Sequence, residues 1–168
     1  VRAGRLAAGL ADGPIDDNDL NGCIAFRERL VIISPLGEAP MADLPGRPGH
    51  TVFAFRPSCS YRQRLENWLK HAGLHSNNTM EIQSYHSMVA CVASGAGIAM
   101  LPHNLLAQLP GHERVQVNDI EDQFADTATW LFWRRDAFGA NVRALKELIL
   151  TQSSPSNLIN LMETADEY

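Results

Sequence analysis

The sequence predicts an α/β fold with a largely parallel sheet that helices cover on both faces. The first observation behind this prediction is that short apolar, β-branched runs alternate with segments whose apolar residues recur at helical spacing. The second is that turns containing glycine or proline separate these segments. Alternating strands and helices are typical of parallel sheets buried on both sides.

The composition indicates a globular protein without the charge of a nucleic-acid-binding surface. Of the 168 residues, 45% are hydrophobic and 20% are charged, which is enough for one domain or two small lobes. The formal net charge of -5 lacks the basic footprint of non-specific nucleic-acid binding, so any contact with DNA has to come from another segment. No apolar run approaches the roughly 20 residues that a membrane span needs.

The cysteines and the start of the chain indicate its setting. Cys23, Cys59 and Cys91 form neither a disulfide framework nor a zinc pattern, which favours a reducing compartment such as the cytoplasm. The opening, from Val1 to Gly4, is neither a signal peptide nor a natural initiator. We therefore expect the chain to begin inside a longer protein.

The first part of the chain predicts two strands. Leu6–Ala11 is an apolar run that predicts a buried strand, and Asp12-Gly13-Pro14 after it is a strong turn signal. Leu30–Ile33 is β-branched and apolar and predicts the second strand. The proline- and glycine-rich stretch Gly37–His50 predicts a connection between lobes.

The next block predicts strands that lead into helices. Thr51–Phe55 is predicted as a strand and Tyr61–Ala72 as a helix that Gly73 ends. A short strand at Glu81–Ser84 precedes a helix over 85–94. The remaining predicted elements are strands at Ile98–Leu101, Val115–Val117 and Ala128–Trp133, a short helix ending near Gln108, and a final helix with Phe138, Val142, Leu145, Leu148 and Ile149 on one stripe.

The turn before the first helix is the first candidate binding motif. Ser58 or Ser60 is predicted to cap the helix, and Ser60 with Gln63 fits a capping box. The free N–H groups and positive dipole end of a helix start attract anions, and Arg56 and Arg62 add positive charge. The alternative is a capped helix with two solvated arginines.

The second motif, Ser84-Tyr85-His86, repeats the same arrangement of strand, hydroxyl cap and helix start. Ligands of open α/β sheets sit outside the carboxyl ends of the strands, where helix N-termini converge. Two hydroxyl-rich helix starts in one lobe therefore predict one polar pocket. The alternative for His86 is a surface or capping histidine.

Two further features have a functional and a plain interpretation. Asp12-Gly13-Pro14 would face the second lobe across a cleft in a two-lobed protein, or it is a simple turn. Cys59, at a helix start beside arginines, is either a reactive redox-sensing thiol or a small residue in a tight turn. The sequence contains no nucleophile elbow, phosphate loop, dinucleotide fingerprint or zinc-protease motif, and we expect no catalytic residue, no metal site and no cofactor.

Two segments resemble the effector-binding domain of LysR-type transcriptional regulators. Ser58-Cys59-Ser60-Tyr61-Arg62 and the helix after it resemble a subgroup with a Gly-Cys-Ser-Tyr-Arg element, where Ser58 here replaces the glycine. The segment from Ser84 to Pro102, with its Gly95-Ala96-Gly97 turn, is similar to a stretch widespread in the family. The first strand with its turn, and the last strand with its helix, resemble the family more weakly.

The resemblance implies a two-lobed fold like that of the type 2 periplasmic binding proteins. It also implies that the first lobe is incomplete and that the winged helix-turn-helix and linker helix of the family are absent. The expected division is a partial first lobe at 1–45, a second lobe at 46–120, a return to the first lobe at 121–152, and a tail at 153–168.

The family's effector contacts imply a candidate site in three groups of residues. These are Asp12, Gly13 and Pro14; Arg56, Ser58, Cys59 and Ser60; and Ser84, Tyr85 and His86. Peroxide-sensing members carry a reactive cysteine near the position of Cys59 and a partner cysteine further along the helix, where this chain has Trp68 and Leu69.

The sequence therefore predicts an effector-sensing domain rather than an enzyme. A small, anionic metabolite would bind in the cleft between the lobes and control transcription allosterically. The full-length protein would be a cytoplasmic homo-oligomer, a dimer or a tetramer, that reaches DNA only through its missing N-terminal domain and has no membrane partner. The alternatives are a solute-binding protein for transport and a redox sensor based on Cys59.

Overall fold

The computed structural model of the chain describes residues 1–14, 16–37, 51–74 and 78–152. The predicted tail at 153–168 lies outside these residues, as does the predicted connection after Gly37. The strands are β1 (Ala8–Asp12), β2 (Leu20–Pro35), β3 (Thr51–Ala54), β4 (Asn78–Glu81), β5 (Gly97–Pro102), β6 (Val115–Asn118) and β7 (Asp126–Arg134). The helices are α1 (Ser60–His71), α2 (Tyr85–Ala93), α3 (His103–Leu106), α4 (Asp122–Ala125) and α5 (Ala140–Gln152), with a 3₁₀ turn at His112–Arg114.

The chain forms two compact units. Unit 1 comprises Val1–Arg27 and Ala128–Tyr168, and unit 2 comprises Glu28–Thr127. The chain passes from one unit to the other inside β2 and again inside β7, whereas the sequence placed these limits at 45/46 and 120/121. The difference arises because β2 has 16 residues, of which only the apolar run near its end was recognisable as a strand.

The sheet of unit 2 is mixed rather than largely parallel. β3 pairs in parallel with both β4 and β5, while the end of β2 pairs antiparallel with β5 and with β6. The prediction of an α/β class is confirmed. The antiparallel pairs were missed because alternation of strands and helices favours parallel pairing but does not fix the direction of each strand.

Helices cover both faces of this sheet, as the sequence predicted. Leu30 and Ile32 of β2 pack in the cluster that contains Leu65 and Trp68 of α1. The intervening residues Val31 and Ile33 pack in the cluster with Met88 and Val89 of α2. Alternate residues of a strand point to opposite faces, so a run of four fully buried apolar residues needs a helix on each side.

Glycines at two positions in unit 2 fix the ends of the helices. Gly73 follows α1 with φ +67° and Gly95 follows α2 with φ +86°. After α1, the N–H of Gly73 donates to the carbonyl of Lys70 at 3.3 Å and that of Leu74 donates to Leu69 at 2.9 Å, which is the Schellman pattern. The predicted C′ role of Gly73 is therefore confirmed.

Unit 1 is built on the antiparallel pair of β1 and β7, in which Ala8 faces Trp133 and Asp12 faces Thr129. The prediction of a buried first strand was wrong: Leu6, which precedes the strand, is 61% exposed, and Leu10 within it is 52% exposed. An apolar run indicates burial only where another element covers it, and the described residues place none over these two side chains.

The last helix, α5, buries a narrower stripe than predicted. Val142 and Ile149 are buried against Leu131 and Trp133 of β7, whereas Leu145 and Leu148 are 41% and 57% exposed. Val142 and Ile149 lie seven residues, or about two turns, apart, so the helix touches the sheet along one line of contact. None of the described helices is long and apolar enough to cross a membrane.

Candidate effector-binding site

Two helix starts lie next to each other at one edge of the unit 2 sheet. β3 and β4 are parallel neighbours, with Ala54 opposite Glu81 at their ends. The N–H of Ile82 donates to the carbonyl of Ala54 at 2.9 Å, so the pairing continues to the point where both strands stop. β3 then leads into α1 and β4 into α2, which brings the motifs at Arg56–Ser60 and Ser84–His86 together as the sequence predicted.

The start of α1 differs from the prediction. Cys59, not Ser58 or Ser60, is the N-cap residue, and its side chain makes no capping hydrogen bond. The predicted Ser60–Gln63 capping box is wrong, because Ser60 is already the first helical residue and the N–H of Gln63 donates to the carbonyl of Cys59 at 3.2 Å. Since the N-cap residue supplies no side-chain acceptor, the first turn of α1 can donate to an outside acceptor.

A tight turn determines this shift of the cap by one residue. The N–H of Cys59 donates to the carbonyl of Arg56 at 2.9 Å, which closes the turn and leaves Ser58 exposed at its tip. Ser60 is half-buried. The sequence could not distinguish the caps, because two hydroxyl residues flank the position that the turn selects.

The start of α2 has the predicted cap. Ser84 has extended backbone angles, and its hydroxyl oxygen accepts a hydrogen bond from the N–H of Ser87 at 3.4 Å. The strand before it was misplaced, because β4 ends at Glu81 rather than at Ser84. The linking residue Gln83 donates from its Nε2 atom to Oε1 of Glu81 at 2.7 Å, across the end of the strand.

Tyr85 forms an aromatic wall beside the two helix starts. Its ring lies edge-on to that of Phe55, with 4.9 Å between centroids and an interplanar angle of 84°. Burial raises the pKa of the Tyr85 phenol above its usual value, and the nearby Cys59 and Glu28 raise it further. The phenol is therefore neutral at physiological pH and keeps its O–H as a donor.

Glu28 is a site residue that the sequence analysis missed. It is the first residue of unit 2, and its Oε2 atom accepts a hydrogen bond of 2.6 Å from the hydroxyl of Tyr61. Its carboxylate is also close enough to raise the pKa of Tyr85. The available signal was a charged residue two positions before the buried run Leu30–Ile33.

The arginines of the first motif have different partners. Arg62 donates from Nε to Oε1 of Glu66 at 2.7 Å and from Nη1 to the carbonyl of Phe55 at 3.1 Å. Its charge is therefore paired with Glu66 of the same helix. The guanidinium of Arg56 is exposed and has no hydrogen-bond or ion-pair partner among the described residues. His86, the second residue of α2, is also exposed.

The third predicted group, Asp12-Gly13-Pro14, lies in unit 1 at the end of β1. The N–H of Gly13 donates to the carbonyl of Ala128 at 3.4 Å, at the start of the unit 1 part of β7. A Cβ atom on Gly13 would lie 2.6 Å from Cδ1 of Trp130, so only glycine fits at this position without a shift of the tryptophan. Trp130 packs against this turn and is a second residue that the sequence analysis did not single out.

Cys59 has the position that the redox interpretation requires but no described partner. It is half-buried at the N-cap of α1, and Cys23, Cys59 and Cys91 are all free thiols. Trp68 and Leu69, where the resemblance would require a partner cysteine, are buried in the core of unit 2. The geometry therefore does not favour a disulfide switch.

Comparison with known protein families identifies the fold. The family model described as LysR substrate binding domain matches residues 1–154. The chain belongs to this family. The resemblance found in the two central motifs, and the α/β fold that it implied, are confirmed.

The curated relatives of this LysR domain are transcriptional regulators. GltR of Bacillus subtilis is 27% identical over 131 residues, which are 78% of this chain and 44% of the relative. SoxR of Arthrobacter sp. strain TE1826 is 29% identical over 126 residues, which are 75% of this chain and 42% of the relative. The chain thus spans less than half the length of these relatives. These names favour neither the transport alternative nor an enzyme.

Solved structures similar to this LysR domain include effector-binding and regulatory domains. The effector-binding domain of a BenM variant has a TM-score of 0.65 and 20% identity, covering 88% of this chain and 71% of the other. The regulatory domain of MetR from N. meningitidis has a TM-score of 0.69 and 14% identity, covering 88% and 70% respectively. At these identities the likeness shows the fold alone.

Proposed function

We propose that the chain is the sensing part of a transcriptional regulator and that a small anionic metabolite binds where α1 and α2 begin in unit 2. The observation that carries the proposal is the pair of helix starts at neighbouring strand ends, of which the α1 start has no side-chain cap. Both helices direct free N–H groups and a positive dipole end to the same edge, and such groups attract carboxylates.

The side chains around the two helix starts support an anion with an apolar body. Arg56 supplies a guanidinium that has no partner among the described residues. Phe55 and Tyr85 supply an aromatic edge, and the neutral Tyr85 phenol can donate a hydrogen bond. The carboxylate of Glu28 repels anions, so the charged end of the metabolite would point toward Arg56 and Ser84.

Other residues belong to the proposal with less structural support. Ser58, Cys59, Ser60 and His86 lie at the same edge of unit 2 and are the proposed polar contacts of the metabolite. Asp12, Gly13 and Pro14 of unit 1 remain proposed contacts on the family resemblance alone.

Regulation is the proposed consequence of binding. The curated relatives are named HTH-type transcriptional regulators, which supports a full-length protein that binds DNA through a segment outside this chain. The full-length protein would be a homo-oligomer in the cytoplasm. The metabolite would shift its conformational equilibrium only as far as it binds one state more tightly than the other.

A screen of small carboxylates by thermal shift on the full-length protein tests the proposal, because a bound ligand raises the apparent stability. The affinity of any hit is then measured by calorimetry for Ser60→Ala and Ser84→Ala. Ser94→Ala is the matched control, since Ser94 lies at the opposite end of α2 and its hydroxyl donates to the carbonyl of Cys91 at 2.7 Å. We expect both site variants to weaken binding by about tenfold, equal to the ~1.4 kcal/mol of one hydrogen bond to a charged group. Unchanged affinity in both would refute this placement.

A further inference from the structure

Unit 1 contains a cavity lined by charged side chains that have no part in the proposed effector site. Its volume is about 480 Å³. The lining residues are Arg2, Asn18, Asp19, Arg134, Arg135 and Asp136. Three guanidinium groups and two carboxylates line it, so the cavity is locally basic in a chain whose formal net charge is -5.

Backbone hydrogen bonds hold the segments that carry these side chains. The N–H of Arg135 donates to the carbonyl of Asp19 at 3.0 Å, which ties the end of β7 to the loop before β2. That loop is closed by the N–H of Asp19, which donates to Oδ1 of Asp17 at 2.9 Å. The N–H of Ala137 donates to the carbonyl of Arg134 at 3.1 Å. The cavity is therefore formed by ordered backbone and not only by long side chains.

The guanidinium of Arg134 is held in place by Asp136 and keeps one free edge. Its Nε atom donates to Oδ1 of Asp136 at 2.9 Å, and its Nη2 atom donates to Oδ2 of the same carboxylate. This pair lowers the pKa of Asp136 and raises that of Arg134. The Nη1 atom lies next to Gly4, where a Cβ would be 3.3 Å away, so the glycine leaves this nitrogen accessible.

The other two arginines have donors to spare. Arg2 makes one ion pair, from Nη2 to Oδ2 of Asp17 at 3.2 Å, and its side chain is 72% exposed. The guanidinium of Arg135 is exposed and has no hydrogen-bond or ion-pair partner within the described ranges. Arg2 and Arg134 each have a carboxylate partner, and Arg135 has none.

We propose that this cavity binds a small oxyanion, a carboxylate or a phosphate, with Arg135 as its main partner. A guanidinium presents a planar fork of N–H donors that matches either oxyanion, and paired N–H···O⁻ bonds are the strong class of hydrogen bond. Nη1 of Arg134 and the remaining donors of Arg2 supply further contacts. The cavity lies where β7 ends, opposite Ala8 in the β1 ladder, whereas Asp12 lies at the other end of that ladder. This second site stands independently of the proposed effector site.

Titration of the chain with inorganic phosphate and with malonate, at constant ionic strength, tests the proposal by calorimetry. We expect saturable binding of at least one of the two anions, and the stronger binder identifies phosphate or carboxylate as the preferred chemistry. Arg135→Gln should weaken that binding by tenfold or more, while Ser94→Ala in unit 2 should leave it unchanged. Arg5→Gln is the matched control, since Arg5 is exposed, lies in the same unit and makes no contribution to the cavity.

Three results would overturn the proposal. The first is no saturable binding of either anion. The second is an equal loss of affinity in Arg135→Gln and Arg5→Gln, which would indicate non-specific attraction by exposed arginines rather than binding in this cavity. The third is saturable binding that Arg135→Gln leaves unchanged, which would place the anion outside this cavity. Thermal unfolding of each variant checks that an exposed Arg→Gln change leaves the fold intact.

Discussion

Replacing Gly97 by alanine tests the close approach of β5 to β3 at the edge of the sheet where both strands begin. A Cβ atom at Gly97 would lie 1.9 Å from the carbonyl oxygen of Thr51, its partner in the β3–β5 ladder, so one of the two strands has to move. Gly97 also has φ +157°, a conformation that side-chain-bearing residues rarely adopt.

The expected cost follows from these two contributions. The strained backbone contributes about 1–3 kcal/mol, and displacing the strand against the packed core contributes a further ~1–3 kcal/mol. A loss of about 2–6 kcal/mol is a large part of the ~5–15 kcal/mol by which domains are stable. Gly95→Ala is the matched control, two residues away. Gly95 has φ +86° but open space where its Cβ would be, so it should lose only the ~1–2 kcal/mol of a left-handed alanine.

Urea unfolding followed by far-UV circular dichroism measures both variants against the parent chain. With a slope of about 2 kcal/mol per M, the midpoint should fall by about 1–3 M for Gly97→Ala and by about 0.5–1 M for Gly95→Ala. Equal shifts, or a larger one for Gly95→Ala, would show that the contact between β3 and β5 is not the constraint that keeps Gly97 a glycine.

Three further predictions concern caps, ionisation and burial. Ser84→Ala should lower the unfolding free energy by about 1 kcal/mol, because it removes the cap of α2. Ser58→Ala removes no cap and should change the unfolding free energy by less than ~0.5 kcal/mol. Chemical denaturation measures both, and the reverse order would contradict the assignment of caps. Because the pKa of Tyr85 is raised in the folded chain, the unfolded chain loses that proton first, near the ordinary tyrosine pKa of 10.0. Stability should therefore fall as the pH rises above 10, and Tyr85→Phe should remove that part of the fall; an unchanged pH profile in the variant would refute it. Leu65→Ala should cost about 2–5 kcal/mol while Leu148→Ala costs less than ~0.5 kcal/mol, measured by thermal unfolding, and similar losses would mean that the exposed side of α5 is covered in solution.

The sequence predicted those parts of the fold that depend on residues close together along the chain. The helix that Gly73 ends and the capped start of α2 at Ser84 follow from the spacing of apolar residues and from single capping residues. The exposure of Leu148 could not be predicted in this way, because periodicity shows which residues share a helix face but not how much of that face another element covers. The length of β2 was also missed, since the charged residues at 27–29 separate the apolar stretch at 23–26 from the run Leu30–Ile33.

The candidate site was predictable only in part for the same reason. The two helix starts were found because each has hydroxyl residues after a strand, and parallel pairing of β3 and β4 brings them together. Glu28 and Trp130 were missed because each reaches its site from a strand that is distant in sequence. The cap at Cys59 was missed because the turn at Arg56 selects it, and the sequence shows only the neighbouring serines.

The chain passes from one unit to the other within β2 and within β7. This determines the order in which the two units can form during synthesis. Unit 2 is one continuous stretch, so all of its strands and helices are made before the second half of unit 1 exists. Unit 1 joins its first strand to β7 and α5 only after the whole of unit 2 has been translated, and closing so long a loop is entropically costly and slow. Unit 2 is therefore expected to fold on the ribosome as an independent nucleus. Once folded, it holds the ends of β2 and β7 in place and shortens the loop that unit 1 must close.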